Sequence, residues 1–174
     1  EPEGGITSWV FKNRSELSVV NRWILSRFEA TRDRVEKGLG QFELNECAQA
    51  IYEFTWHELC DWYLEFSKLS LREGGQKRLE ALYVLHHVLD QLFRLMHPLM
   101  PFVTEELWQS LPFKSAATTP GRASLGLPKV MTLMLQSYPK KQEQWIDRGA
   151  EETMSTLMAV INAIRNFKGE NNLS

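Results

Sequence analysis

The chain has 174 residues, 43% hydrophobic and 24% charged, enough for one well-buried soluble domain or a domain with an appendage. Its net charge of −2 gives no global attraction to nucleic acid, so any RNA partner must be held by local clusters. No apolar run approaches the ~18 residues of a membrane span, and the opening EPEGGITSWVF lacks the basic start and apolar core of a signal peptide. The absent initiator Met and the uncapped end, NFKGENNLS, set the expectation of a piece of a longer chain.

The first predicted helix runs from about Ser15 to Lys37. Leu17, Val20, Ile24, Phe28, Thr31, Val35 and Leu39 form its apolar stripe, and Gly38 and Gly40 end it. The second runs from about Asn45 to Leu71, with Leu44, Ala48, Ile51, Thr55, Leu59, Trp62, Phe66 and Leu69 on one face. Tyr52, Trp56 and Tyr63 widen that face, which predicts a central helix with Trp62, Tyr63 and Phe66 in the core. Gly74 and Gly75 break it. The third runs from about Gln76 to Met96, with Leu79, Leu82, Tyr83, Leu89, Phe93 and Met96 inward, and Pro98 and Pro101 stop it.

Thr104 is read as the start of a short helix, TEELWQSL, that Pro112 ends. Residues 114–128, KSAATTPGRASLGLP, have linker composition. VMTLMLQ, 130–136, alternates weakly and predicts a short strand. A last amphipathic helix is expected over about Gln142–Phe167, with Ile146, Ala150, Met154, Leu157, Ile161 and Ile164 on one side. The expected fold class is all-α: an antiparallel helical bundle over 1–112, a flexible linker over 113–128, and a minor strand-plus-helix extension over 129–174.

The polar residues give no catalytic centre. Cys47 and Cys60 lie roughly 20 Å apart if one helix carries both, so no disulfide joins them. Without a CxxC pair they read as reduced thiols rather than zinc ligands. His86, Asp90 and Arg94, four apart, predict a structural polar seam; a small enzyme built on His86 and Asp90 lacks any supporting motif. His57 and His87 read as surface residues, and His97 as part of a helix end. Glu46, Glu53, Glu58, Asp61 and Glu65 are spread over several faces, and Glu58 and Glu65 border the stripe. This acidic group is expected to pair with Arg27 and Arg34. No GxSxG, GxxxxGK[ST] or GxGxxG is present. The turn KLSLREGGQKR carries Lys68, Arg72, Lys77 and Arg78 against Glu73 and Glu80. By composition it is a solvated loop.

Three motifs, NRWILSR (21–27), CDWYLEFSK (60–68) and HPLMPFVTEELWQSLP (97–112), together resemble the anticodon-binding helical domain of class I aminoacyl-tRNA synthetases. CDWYLE and NAIRNFKGENNLS (162–174) are most similar to the valyl branch; the isoleucyl and leucyl branches share the proline-bracketed element, and the same domain of one of those enzymes is the alternative within the family. The resemblance covers nearly the whole chain. The family's HIGH-type and KMSKS-type ATP-binding signatures and its editing domain are absent from this sequence, as is the upstream helix that joins core to bundle. The 114–128 stretch is longer than expected.

What the resemblance implies is a cytoplasmic parent that attaches valine to tRNA. ATP and Mg would be used in the parent's catalytic domain and no cofactor in this segment. The partners would be tRNA with a valine anticodon and the catalytic domain of the same chain. By the family's topology, the basic turn and the entry segment share the anticodon end. That gives an RNA-binding set of Lys12, Arg14, Lys68, Arg72, Lys77 and Arg78 for phosphates, with Trp9 and Phe11 as exposed aromatics for unstacked bases. The 37–43 and 97–101 connections would lie at the other end, near the catalytic core. A helical protein-interaction module without an RNA role is the alternative from another class.

Overall fold

Glycine and proline set most of the helix ends in the computed structural model, which describes residues 5–112 and 132–171. α1 (Gly5–Lys12) precedes every predicted helix. It is short and carries the β-branched Ile6, Thr7 and Val10, so its own propensity is weak. Packing on the third long helix holds it: Ile6 and Val10 are buried, and Trp9 meets Tyr83 edge-to-face at 5.0 Å. A 3₁₀ turn, Arg14–Glu16, leads to α2 (Val19–Gly40), where Ser18 rather than Ser15 is the cap. The close approach of the next helix requires Gly38, because an added Cβ would lie 2.7 Å from Cys47 Sγ.

The second long rod is continuous from Leu44 to Glu73 but not uniform. α3 (Leu44–Glu53) passes into a π-helical stretch, Phe54–Tyr63, and then into α4 (Leu64–Glu73). The wider π turn spaces the buried residues differently. The inward series runs Cys47, Ile51, Phe54, Leu59, Tyr63, Ser67, with a five-residue step after Phe54. The predicted stripe assumed an α-helical period and drifts off this face. Leu44, Tyr52, Trp56 and Leu69 are exposed, and Trp62 and Phe66 are half-buried, stacked on each other at 5.8 Å. Of the three residues placed in the core, Tyr63 alone is fully buried.

One residue, Gly74 at φ 76°, separates α4 from α5 (Gly75–Met96). The bonds Tyr63–Asn21, Glu58–Arg27 and Glu53–Arg34 step along both rods in opposite senses, so the α3–α4 rod is antiparallel to α2. The one-residue turn makes it antiparallel to α5 as well. The central helices are α2 and α5, not the second rod: α5 touches α1, α2, α4 and α6. α6 (Pro101–Gln109) begins at Pro101; Thr104 is no cap and donates back to the Met100 carbonyl at 2.7 Å.

Residues 132–136 hold a 3₁₀ turn, Leu133–Leu135, in place of the expected strand, and no strand occurs among the described residues. Glu105 draws this segment onto α6 by accepting from Leu133 N–H and the Thr132 hydroxyl, each at 2.8 Å. The linker expected over 114–128 lies outside the described residues. A second 3₁₀ turn, Glu143–Trp145, precedes α7 (Arg148–Glu170), which Asp147 caps and which packs on α2. Trp145, Ala150 and Met154 complete the main core, whereas Leu157, Val160, Ile164 and Phe167 are exposed. No helix among the described residues is long and apolar enough to cross a membrane.

Candidate nucleic-acid interface

The antiparallel arrangement brings the start of α2, the end of α4 and the start of α5 to one end of the bundle. Glu80 on α5 marks the junction, since its Oε1 accepts from Ser18 N–H at 2.6 Å. The predicted cations are spread over three segments. Lys68 and Arg72 are exposed on α4, Lys77 and Arg78 on the first turn of α5, and Lys12 and Arg14 on the entry segment. They are not equally available. Lys68 pairs with Glu65 at 2.5 Å and Lys77 with Glu73 at 2.7 Å. The Glu73 hydrogen bond raises the Lys77 pKa, so the ammonium stays charged. Such exposed pairs are worth little and can exchange for a phosphate.

Lys12, Arg14 and Arg22 line one hollow of about 450 Å³ with Phe11, Ser15 and Asp147. Three cations face one carboxylate there, and Asp147 is held by Arg22 at 3.2 Å. Arg22 was missed in the sequence, although it stands in NRWILSR; without the fold, nothing joins it to residues 12–14.

The aromatic expectation needs correction. Trp9 and Phe11 are half-buried rather than exposed: Phe11 packs on Trp145 at 4.8 Å and near His87, and Trp9 on Tyr83. Their first role is to seat α1.

The other polar residues are structural. Asp90 accepts from Trp108 Nε1 at 2.7 Å and pairs with Arg94 at 2.9 Å, so the seam joins α5 to α6. Arg94 also reaches the Ser137 carbonyl at 3.4 Å. His86 is buried on the same helix. His87 is buried too, against the surface expectation. It meets the Thr7 hydroxyl at 3.3 Å, and burial pulls its pKa down to about 4. His97 meets the Thr104 hydroxyl at 2.8 Å and His57 is exposed. Arg27 pairs with Glu58 at 2.7 Å and Arg34 with Glu53 at 2.6 Å. Cys47 and Cys60 are free thiols, raised in pKa by burial. No group of three or more His, Cys, Asp or Glu among the described residues could hold a metal.

Residues 21–174 match the family described as the anticodon-binding domain of tRNA ligase. The chain belongs to that family. It is 39% identical over 159 residues to a valine–tRNA ligase of Syntrophotalea carbinolica, covering 91% of this chain. It is likewise 39% identical over 163 residues to that of Carboxydothermus hydrogenoformans, covering 92%, and 36% identical over 156 residues to that of Oceanobacillus iheyensis, covering 89%. The chain spans 16% of the length of each of these curated relatives.

Proposed function

We propose that this chain is the tRNA-anticodon-binding part of a cytoplasmic valine–tRNA ligase. The parent would join valine to its tRNA with ATP and Mg used in a catalytic domain elsewhere in the chain, and this segment would supply recognition alone. What supports the reading is the exposure of cations on three segments, the entry segment, α4 and the start of α5, within a family named for anticodon binding. Lys12, Arg14, Arg22, Lys68, Arg72, Lys77 and Arg78 would meet phosphates, with the partly open faces of Trp9 and Phe11 beside them. Dispersed cations around a rigid end suit a folded-back single strand, whose phosphates are spread over a curved loop. Residues 113–128 would be a linker between the bundle of 1–112 and the extension of 129–174, whose Trp145 and Met154 complete the core.

The opposite end supports the presence of a parent. Phe42 takes φ 58° in the α2–α3 turn and is 91% exposed, and Phe102 at the start of α6 is 90% exposed. Tyr52, Trp56, Met96 and Met100 line an apolar groove of about 380 Å³. Apolar surface of this kind suits a permanent contact. The remainder of a chain about as long as the relatives is the occupant proposed for it.

Filter binding tests the reading. The chain is expected to retain tRNA with a valine anticodon more tightly than tRNAs with other anticodons. The difference should be about tenfold or more, the discrimination that one well-made base pairing with a side chain supplies. Equal retention of all tRNAs would remove the valine assignment, and no retention would remove the RNA role.

A further inference from the structure

We propose that Glu80, acting through Asn21 and Tyr63, is a positioning residue that fixes the entry-segment cations relative to those of the α4–α5 turn. The inference rests on the tRNA reading of that end. One oxygen, Glu80 Oε1, accepts from both the Ser18 backbone N–H at 2.6 Å and Asn21 Nδ2 at 2.7 Å. The Asn21 side-chain oxygen in turn accepts from the Tyr63 hydroxyl at 2.7 Å. Tyr63 is 0% and Asn21 3% exposed, so the geometry is held by packing as well as by bonds. Burial pushes the Tyr63 phenol above its ordinary pKa, which keeps it a donor.

The network ties three elements together where the cations diverge. Arg14 lies in the 3₁₀ turn just before Ser18, and Lys77 and Arg78 lie within three residues of Glu80. Arg72 follows through the single-residue hinge at Gly74. The Ser18 hydroxyl caps the start of α2 by accepting from Asn21 N–H, and the separate Ser18 N–H falls to Glu80, whose bond to Asn21 Nδ2 goes beyond capping. Electrostatics argues against Glu80, because a carboxylate among RNA-facing cations weakens their attraction for phosphate. Positioning accounts for a negative charge at this place: it spans two segments and takes two donors on one oxygen.

This predicts effects of opposite sign to simple charge removal. Glu80→Ala removes a negative charge, yet it is expected to weaken tRNA binding about fivefold, in keeping with the loss of a hydrogen-bonded register. Glu80→Gln removes the same charge but keeps the acceptor oxygen, and should recover most of the loss. Binding is read by filter retention of valine-anticodon tRNA, at a temperature where circular dichroism finds each variant folded. Should Glu80→Ala not fold, Tyr63→Phe takes its place; it removes only the donor and should weaken binding about twofold. Unchanged or tighter binding by Glu80→Ala, or by Tyr63→Phe in its place, would overturn the proposal. So would Glu80→Gln as weak as Glu80→Ala. If Arg72→Ala with Arg78→Ala weakens binding while Glu80→Ala does not, positioning alone fails. If the wild-type chain shows no salt-dependent tRNA binding, the tRNA reading fails and takes this inference with it.

Discussion

Replacing Trp108 by alanine is expected to cost about 3–5 kcal/mol of folding free energy. Trp108 is 1% exposed and forms, with Phe93 and Leu133, the small core that seats α6 and the 132–137 segment on α5. Its indole N–H also donates to Asp90, which is itself 5% exposed and paired with Arg94. Truncation therefore leaves both a cavity and an acceptor with one donor fewer, and the two costs add. Urea unfolding of wild type and variant measures the difference. Trp62→Ala is the comparison. Its ring is half-buried, stacked on Phe66 and faced by the Arg165 guanidinium at 5.2 Å, so about 1–2 kcal/mol is expected. Equal losses at the two sites would contradict the face assignment.

Acid should destabilise the fold through His87 before carboxylate protonation dominates. The unfolded chain protonates this imidazole near its ordinary 6.5, whereas burial delays the folded state to about 4. Between those values the unfolded state binds more protons, so stability falls as pH falls. The loss begins below about 6.5 and is complete below about 4, reaching about 3 kcal/mol. Glu29 acts in the opposite sense, because burial raises its pKa and favours its neutral form in the fold. The difference between wild type and His87→Asn isolates the imidazole: the variant's urea midpoint should change less between pH 7 and pH 4. Parallel pH profiles would contradict the burial of His87 as a neutral group.

His87 also illustrates what was legible in the sequence. Local signals were reliable: the glycines at 74 and 75 and the prolines at 98 and 101 end or start helices because they act on the backbone directly. That the acidic group of the second rod pairs with Arg27 and Arg34 was also readable, but not the partners: Glu58 borders the expected stripe, whereas Glu53 does not, and Glu65 pairs with Lys68 instead. Faces were less legible. The π-helical stretch changes the period within the second rod, and a 3.6-residue template then assigns Trp62 to the core. α5 is covered on several sides, so His87 has no polar face to occupy; α1 and Trp145 bury it, and neither was predicted there. α1 itself depends on tertiary packing that no window of its sequence contains. At the candidate interface, residue types and chain segments were readable from motif and topology. Glu80, Asn21 and Arg22 were not, because their roles depend on which helix ends meet.

The most direct measurement of the RNA role is the salt dependence of tRNA binding with Arg72 and Arg78 both replaced by alanine. Both are exposed, so thermal stability should hardly change. Each single-strand phosphate that a cation no longer neutralises flattens the plot of log K against log salt by ~0.7, or ~1.4 for the pair. Weaker binding, a flatter slope and an unchanged melting temperature are expected. Wild-type affinity and wild-type slope in the double variant would contradict the RNA role, and would return the basic turn to a solvated loop.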